Sequence, residues 1–112
     1  MEKFEIKDGV AIIPEGTTEI GDNAFDCCTA LESIILPDSV TFLGENAFRC
    51  CTSLTTTILP VGMREIDVTA FYKCPSLSAI IVPAKKTGYY KERLPEKLHD
   101  KIVELNEFQD LF

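Results

Sequence analysis

The amino-acid sequence predicts a short β-solenoid: about three full 23-residue coils, mostly short strands with short helical turns, and a helical C-terminal cap. Three observations predict it. Pro14, Pro37, Pro60 and Pro83 recur at a constant offset of 23 residues. The same offset carries Ile20 to Leu43 to Ile66, Ala24-Phe25 to Ala47-Phe48 to Ala70-Phe71, Cys28 to Cys51 to Cys74, Leu31 to Leu54 to Leu77, and Leu36 to Leu59 to Val82. Each copy also contains a short apolar alternation, in a chain of 112 residues that is 46% apolar and 26% charged and so able to build a core. A repeat of this period means stacked coils, each burying its apolar face on its neighbours.

The elements follow in chain order. Phe4, Ile6 and Val10 stand where they can cover the open start of the first coil, within an N-terminal cap strand over 1–13. The coils run over 14–36, 37–59 and 60–82 of a single domain. In the second coil's approach, Ile34 and Leu36 face inward and Ile35 outward, because successive strand side chains alternate. Pro37 ends that strand, since it has no N–H to donate. Residues 39–43 are β-prone and predict a second short strand before the turn at Gly44. Glu45, Asn46, Ala47 and Phe48 suit a short helical turn that drops Phe48 into the core. In the strand that leads into the copy beginning at Leu59-Pro60, Thr57 takes the place of the inward isoleucine. The periodic pattern stops after Pro83, and 83–112 reads as cap and tail. Leu94, Leu98, Ile102 and Leu105 fit one helix face, with a break at Pro95. The alternative is that Ile102 to Leu105 return as a last strand. Residues 106–112 read as a polar-aromatic tail that frays unless Phe108, Leu111 or Phe112 docks.

The run Leu36-Pro37, Val40-Thr41, Leu43-Gly44, Ala47-Phe48, Cys51 and Leu54 resembles the repeat of the BspA-like leucine-rich repeat family. The copies beginning at Ile13-Pro14 and Leu59-Pro60 keep most of it, with Thr17 and Met63 in place of valine and Asp67 in place of glycine. The resemblance covers roughly residues 4 to 83. It implies a leucine-rich-repeat solenoid, and the start near Phe4 to Gly9 and the finish beyond Val82 look like family ends, so a short complete array is expected. Ser39 stands where ordinary leucine-rich repeats carry asparagine or cysteine, so rules for those classes do not transfer. The resemblance further implies a bacterial, non-enzymatic module that binds protein, often in adhesion at a cell surface.

Composition and motifs bound the chemistry. A net charge of −7 disfavours nucleic acid and anionic membrane. Apolar runs such as Ile34-Ile35-Leu36 are far too short for membrane insertion, and no secretory signal opens the chain, which leaves the compartment open. No phosphate-binding glycine loop occurs, and no carboxylate pair is singled out. The single histidine, His99, falls in the cap and reads as a packing residue. Neither a catalytic residue nor a cofactor is expected.

Five cysteines admit three readings. Cys28, Cys51 and Cys74 form a ladder of small core side chains. Neighbouring coils lie ~4.8 Å apart, wider than the ~3.8 Å between Cβ atoms that a disulfide needs. A zinc site across the Cys27-Cys28 and Cys50-Cys51 pairs would need four ligands converging, and adjacent residues diverge, so no metal is expected. Reactive thiols at Cys27 and Cys50 would need a cation, and Arg49 is the adjacent one.

The surface reading is more specific. Ile12, Ile35, Ile58 and Ile81 form one outward column, and Ser33, Thr56 and Ala79 the next. A contiguous apolar row on a solvent face marks an interaction site, although isoleucine suits any strand and the tail could fold over it. Phe42 is an outward candidate on the second strand, in a column with Glu19 and Glu65. The expected function is therefore a rigid repeat sheet presenting Ile35, Ile58, Ile81, Ser33, Thr56 and Phe42 to a protein partner. The alternative is a homo-oligomer assembled through the isoleucine ladder or a solenoid end.

Overall fold

The computed structural model describes residues 4–105. It is strand-rich: β1 (Glu5–Lys7), β2 (Val10–Ile12), β3 (Glu19–Ile20), β4 (Ser33–Ile35), β5 (Phe42–Leu43), β6 (Thr56–Ile58), β7 (Glu65–Ile66), β8 (Ala79–Val82) and β9 (Ile102–Glu104). A mixed six-stranded sheet has the order β1-β2-β4-β6-β8-β9, and a parallel three-stranded sheet has the order β3-β5-β7. Neither closes into a barrel.

The repeat offset is visible in the pairing. Ser33, Ile34 and Ile35 pair with Thr56, Thr57 and Ile58, which pair in turn with Ala79, Ile80 and Ile81. In the smaller sheet Glu19 pairs with Phe42 and Phe42 with Glu65. Among the described strands only β1 runs antiparallel, folded onto β2 through Asp8 and Gly9. Both turn residues have positive φ, 52° and 82°, as a tight hairpin of this hand requires. A Cβ at Gly9 would also come within 2.7 Å of the Glu32 side chain. Val10 therefore belongs to a sheet strand and pairs with Ser33, where the sequence offered it as a cover for the first coil.

The expected helical turn at Glu45 to Phe48 is a run of hydrogen-bonded turns instead. The Ala47 N–H donates to the Gly44 carbonyl at 3.2 Å and the Arg49 N–H to the Asn46 carbonyl at 3.2 Å. Asn46 (φ 56°) and Cys50 (φ 59°) take left-handed conformations, which interrupt a helix; Asn23 and Cys27 do the same one repeat earlier. The turns are stitched across repeats by side chains. Asp22 Oδ1 accepts the Glu45 N–H at 2.8 Å, Ser39 Oγ the Gly16 N–H at 3.1 Å, and Thr69 Oγ1 the Asn46 N–H at 3.0 Å. Gly44 makes room for the first of these: a Cβ there would stand 2.7 Å from the Asp22 backbone nitrogen.

Inward residues build one core. Phe25, Phe48 and Phe71 stack at 5.3 Å between ring centroids, and Phe4 ends the column 5.6 Å from Phe25. Ile20, Leu43 and Ile66 point in from the smaller sheet, and Ala11, Ile34, Thr57 and Ile80 from the larger one. Thr57 is fully buried and its hydroxyl has no hydrogen-bond partner among the described residues. An unpaired buried hydroxyl costs free energy that a methyl group of the same size does not. Thr57→Val is thus expected to stabilise the protein by about 1 kcal/mol, read as a raised midpoint in urea with an unchanged slope.

The C-terminal helical content is small, which corrects the expected helical cap. One α-helix, α1 (Thr87–Lys91), is followed by a 3-10 helix over Glu96–Lys101. Pro95 stands extended between them (φ −61°, ψ 150°), because proline removes an N–H and pushes its predecessor out of helical geometry. Ile102–Glu104 returns as β9, parallel to β8, the other reading the sequence left open. Tyr90, Leu94 and Leu98 are buried beneath this segment. The expectations for Phe108, Leu111 and Phe112 lie outside the described residues.

Glu104 ties the last strand to α1. Its carboxylate accepts from the Thr87 hydroxyl, and that hydrogen bond, with the neighbouring Lys85 and Thr87 backbone, holds its pKa below the ordinary 4.5. A lowered carboxylate pKa stabilises the fold above its unfolded value and ceases to do so as pH falls through the folded value. Acidification from pH 5 is expected to loosen β9 against α1, measured as a reduced amide protection factor, corrected for the intrinsic rate at each pH, at Leu105, whose N–H donates to Val82. Glu104→Gln should blunt that pH dependence.

Candidate functional site

The outward face of the larger sheet is a register-locked array. Ala11 pairs with Ile34, so Ile12 lies beside Ile35; Ile35, Ile58 and Ile81 pair in succession, and Ile81 pairs with Val103 of β9. The row is therefore Ile12, Ile35, Ile58, Ile81, Val103, one residue longer than sequence periodicity gave. Val103 was missed because β9 follows β8 by 22 residues, outside the repeat offset. Ile35 is 56% exposed, Ile12 47% and Val103 42%, while Ile58 and Ile81 are half-buried.

Beside this row runs a second one of small and hydroxyl side chains, with Val10 at its start: Val10, Ser33, Thr56, Ala79. Thr55 Oγ1 donates to the Glu32 carbonyl at 3.2 Å and lies 3.4 Å from Thr56 Oγ1, so the hydroxyls of this edge are already ordered. At the N-terminal margin Glu5 pairs opposite Ile12 and Lys7 opposite Val10, which puts charge at the border of the apolar field.

Five of the six residues singled out in the sequence thus share this face: Ile35, Ile58, Ile81, Ser33 and Thr56. Phe42 does not join them. It lies in β5 of the smaller sheet, half-buried between Glu19 and Glu65. The smaller sheet pairs separately because Pro37 and the turn after it end β4 before the chain reaches β5.

Cys27, Cys28, Cys51 and Cys74 are held in unreactive settings. Cys51 is buried and its thiol donates to the Phe25 carbonyl at 3.0 Å; the Cys74 thiol donates to the Phe48 carbonyl at 2.9 Å. Burial pushes the Cys51 thiol up to about 12 and raises Cys28 and Cys74 as well. The ladder thus uses cysteine both as a small apolar group and as a donor for phenylalanine carbonyls. The cation available to Cys27 is taken: Arg49 Nε and Nη2 donate to both oxygens of Asp26 at 2.9 and 2.8 Å. Cys27 itself donates to Asp26, which raises its pKa, the reverse of what a reactive thiol requires.

His99 Nε2 lies 2.9 Å from the Leu94 carbonyl, a hydrogen bond internal to the C-terminal segment. Among the described residues no three His, Cys, Asp or Glu side chains gather as metal ligands. No described helix is long and apolar enough to cross a membrane. The arrangement as a whole is a rigid apolar surface bordered by hydroxyls and charge, suited to holding another surface.

Comparison with protein families matches residues 7–93 to the BspA type leucine rich repeat region (6 copies). Comparisons with curated proteins and with solved structures found no match.

Proposed function

The chain belongs to the BspA-type leucine-rich repeat family, and from that premise we propose that it is a β-solenoid protein-interaction module whose outward isoleucine row docks a protein partner. The family generally mediates protein interaction or adhesion and is generally non-enzymatic. The observation that carries the reading is the unbroken register from Ile12 through Ile35, Ile58 and Ile81 to Val103. Isolated exposed isoleucines are ordinary, but five neighbours in one row form the contiguous apolar field that marks interaction sites. The strand ladder holds these side chains in place before binding, so little entropy is lost when a partner docks.

In this reading the whole chain acts as one domain without catalysis, and adhesion at a cell surface rests on the family alone. The residues that carry binding are Ile35, Ile58 and Ile81, with Ser33 and Thr56 supplying hydroxyls at the margin. Phe42 belongs to a separate, acidic-flanked surface.

The test immobilises wild type beside Ile58→Arg, a charge in the middle of the row. Ile58 is only half-buried and faces outward, so equal melting temperatures are expected. Wild type should retain a protein that the variant loses. A variant that retains everything wild type does would remove the row from the function. Light scattering on the same pair separates a foreign partner from self-docking through the row: a wild-type dimer made monomeric by Ile58→Arg identifies the row as a homodimer interface.

A further inference from the structure

The charge of this acidic chain is not spread evenly along the repeat stack. Residues 4–36 carry seven carboxylates against Lys7 alone, a net of −6. Residues 37–59 carry Asp38 and Glu45 against Arg49, a net of −1. Residues 60–82 are balanced, with Arg64 and Lys73 against Glu65 and Asp67. Residues 83–105 carry six lysines and arginines against four carboxylates, a net of +2. The pairing order places these segments in this sequence along the stack. The chain therefore has an acidic first repeat and a basic segment over 83–105, which Glu107 and Asp110 bring to a net of zero over 83–112.

The third repeat departs from the other two in the turn that faces that basic segment. Its Val68 stands one offset from Glu45 and two from Asp22, and its Tyr72 one offset from Arg49 and two from Asp26. Val68 is 71% exposed and Tyr72 42% exposed. Two ammonium groups, those of Lys73 and of Lys97 in the 3-10 helix, each lie 5.4 Å from the centroid of the Tyr72 ring. Neither lysine has a carboxylate within ion-pair distance among the described residues. Val68 thus stands where the earlier repeats carry Glu45 and Asp22, Tyr72 where they carry the ion-paired Arg49 and Asp26, and Lys73 where they carry Cys50 and Cys27.

We propose that this apolar and cationic surface docks the acidic first repeat of a second copy, in a head-to-tail contact. The two surfaces lie at different places on the molecule, so the contact is heterologous and repeats from copy to copy. Copies of net charge −7 repel as wholes, but screening decides which charges count. The Debye length is ~8 Å at 0.15 M salt, whereas the molecule is 36 Å long. Facing ends in contact interact within that length, and the distant acidic repeats are screened. The contact does not use the isoleucine row, so it stands or falls separately from the partner-binding reading.

The test is sedimentation velocity over a concentration series, with ionic strength raised by sodium sulfate. Wild type should associate at about 0.1 M ionic strength and return to monomer as sulfate screens the ends. Association through an apolar row would instead tighten with sulfate. Lys73→Gln/Lys97→Gln and Glu15→Gln/Glu19→Gln alter exposed side chains and should each be folded monomers, matched to wild type by circular dichroism. Mixed together, they should form a 1:1 dimer that does not grow, because each retains the end the other lacks. Ile58→Arg should associate as wild type does. A wild-type monomer at every concentration overturns the proposal. Association that grows with sulfate, or that survives in either glutamine variant alone, overturns it equally.

Discussion

Phe48→Ala is expected to destabilise the protein by about 3–5 kcal/mol, the range for deleting a buried phenylalanine. Phe48 is the middle ring of the column, stacked at 5.3 Å on both Phe25 and Phe71, and no part of it reaches solvent. Its loss removes apolar burial, two ring contacts and the support for both neighbours at once. It also frees the turn whose carbonyl accepts the Cys74 thiol. In a repeat stack, stability is the sum of repeat and interface terms, so a hole in the central repeat weakens two interfaces rather than one. The total stability of a domain is only about 5–15 kcal/mol, so the variant should lie close to unfolding at room temperature. Thermal denaturation should show a fall of more than about 10 °C. Phe4→Ala, at the end of the column with one ring neighbour 5.6 Å away, should cost markedly less. Equal losses at the two positions would mean that the rings do not act as a stack.

Tyr90→Phe should cost about 1–3 kcal/mol, the penalty for leaving buried polar groups without partners. Tyr90 is fully buried, its hydroxyl donates to the Pro60 carbonyl, and it accepts the Met63 N–H at 3.4 Å. Tyr89 beside it donates to the Met63 carbonyl at 2.6 Å, with the Arg93 guanidinium 3.6 Å from its ring centroid. The two tyrosines thus fasten the C-terminal segment to the loop that opens the third repeat. Burial raises the Tyr90 pKa from 10.0 to about 12. A phenol kept neutral in the fold contributes stability that is intact below pH 10 and falls as pH rises from 10 through about 12. Wild type should lose stability over that alkaline window, and Tyr90→Phe should lose less of it. A denaturant midpoint measured at pH 8 and pH 11 for both proteins checks the size and the sign. A variant as stable as wild type at pH 8 would show that the hydroxyl fastens nothing.

What the sequence made legible was whatever the 23-residue offset controls. Strand positions, inward and outward faces, the phenylalanine column and the isoleucine row all follow from it, because parallel pairing of identical repeats turns an offset in sequence into adjacency in space. Features that break the offset were not legible. Val103 extends the row from β9, whose register is 22 residues from β8, and its place depends on how the chain returns after Pro95. The turn at Glu45 to Phe48 looked helical by composition, but Asn46 and Cys50 take left-handed backbone angles that only the stacked neighbours enforce. The thiol donors of Cys51 and Cys74 were hidden for a similar reason: their acceptors belong to the preceding repeat, 26 residues away. Phe42 was legible as a second-strand residue in a column with Glu19 and Glu65, but its outward direction alone did not tell that this strand belongs to a separate sheet, away from the isoleucine row.

The central claim is that the outward row, rather than the turn surface, meets the partner. A photocrosslinking side chain placed at Ile58, and separately at the exposed turn residue Glu45, tests it in an extract of the cells that make the protein. The account predicts a crosslinked foreign protein from position 58 and none from position 45. Crosslinks from position 45 with none from position 58 would contradict it.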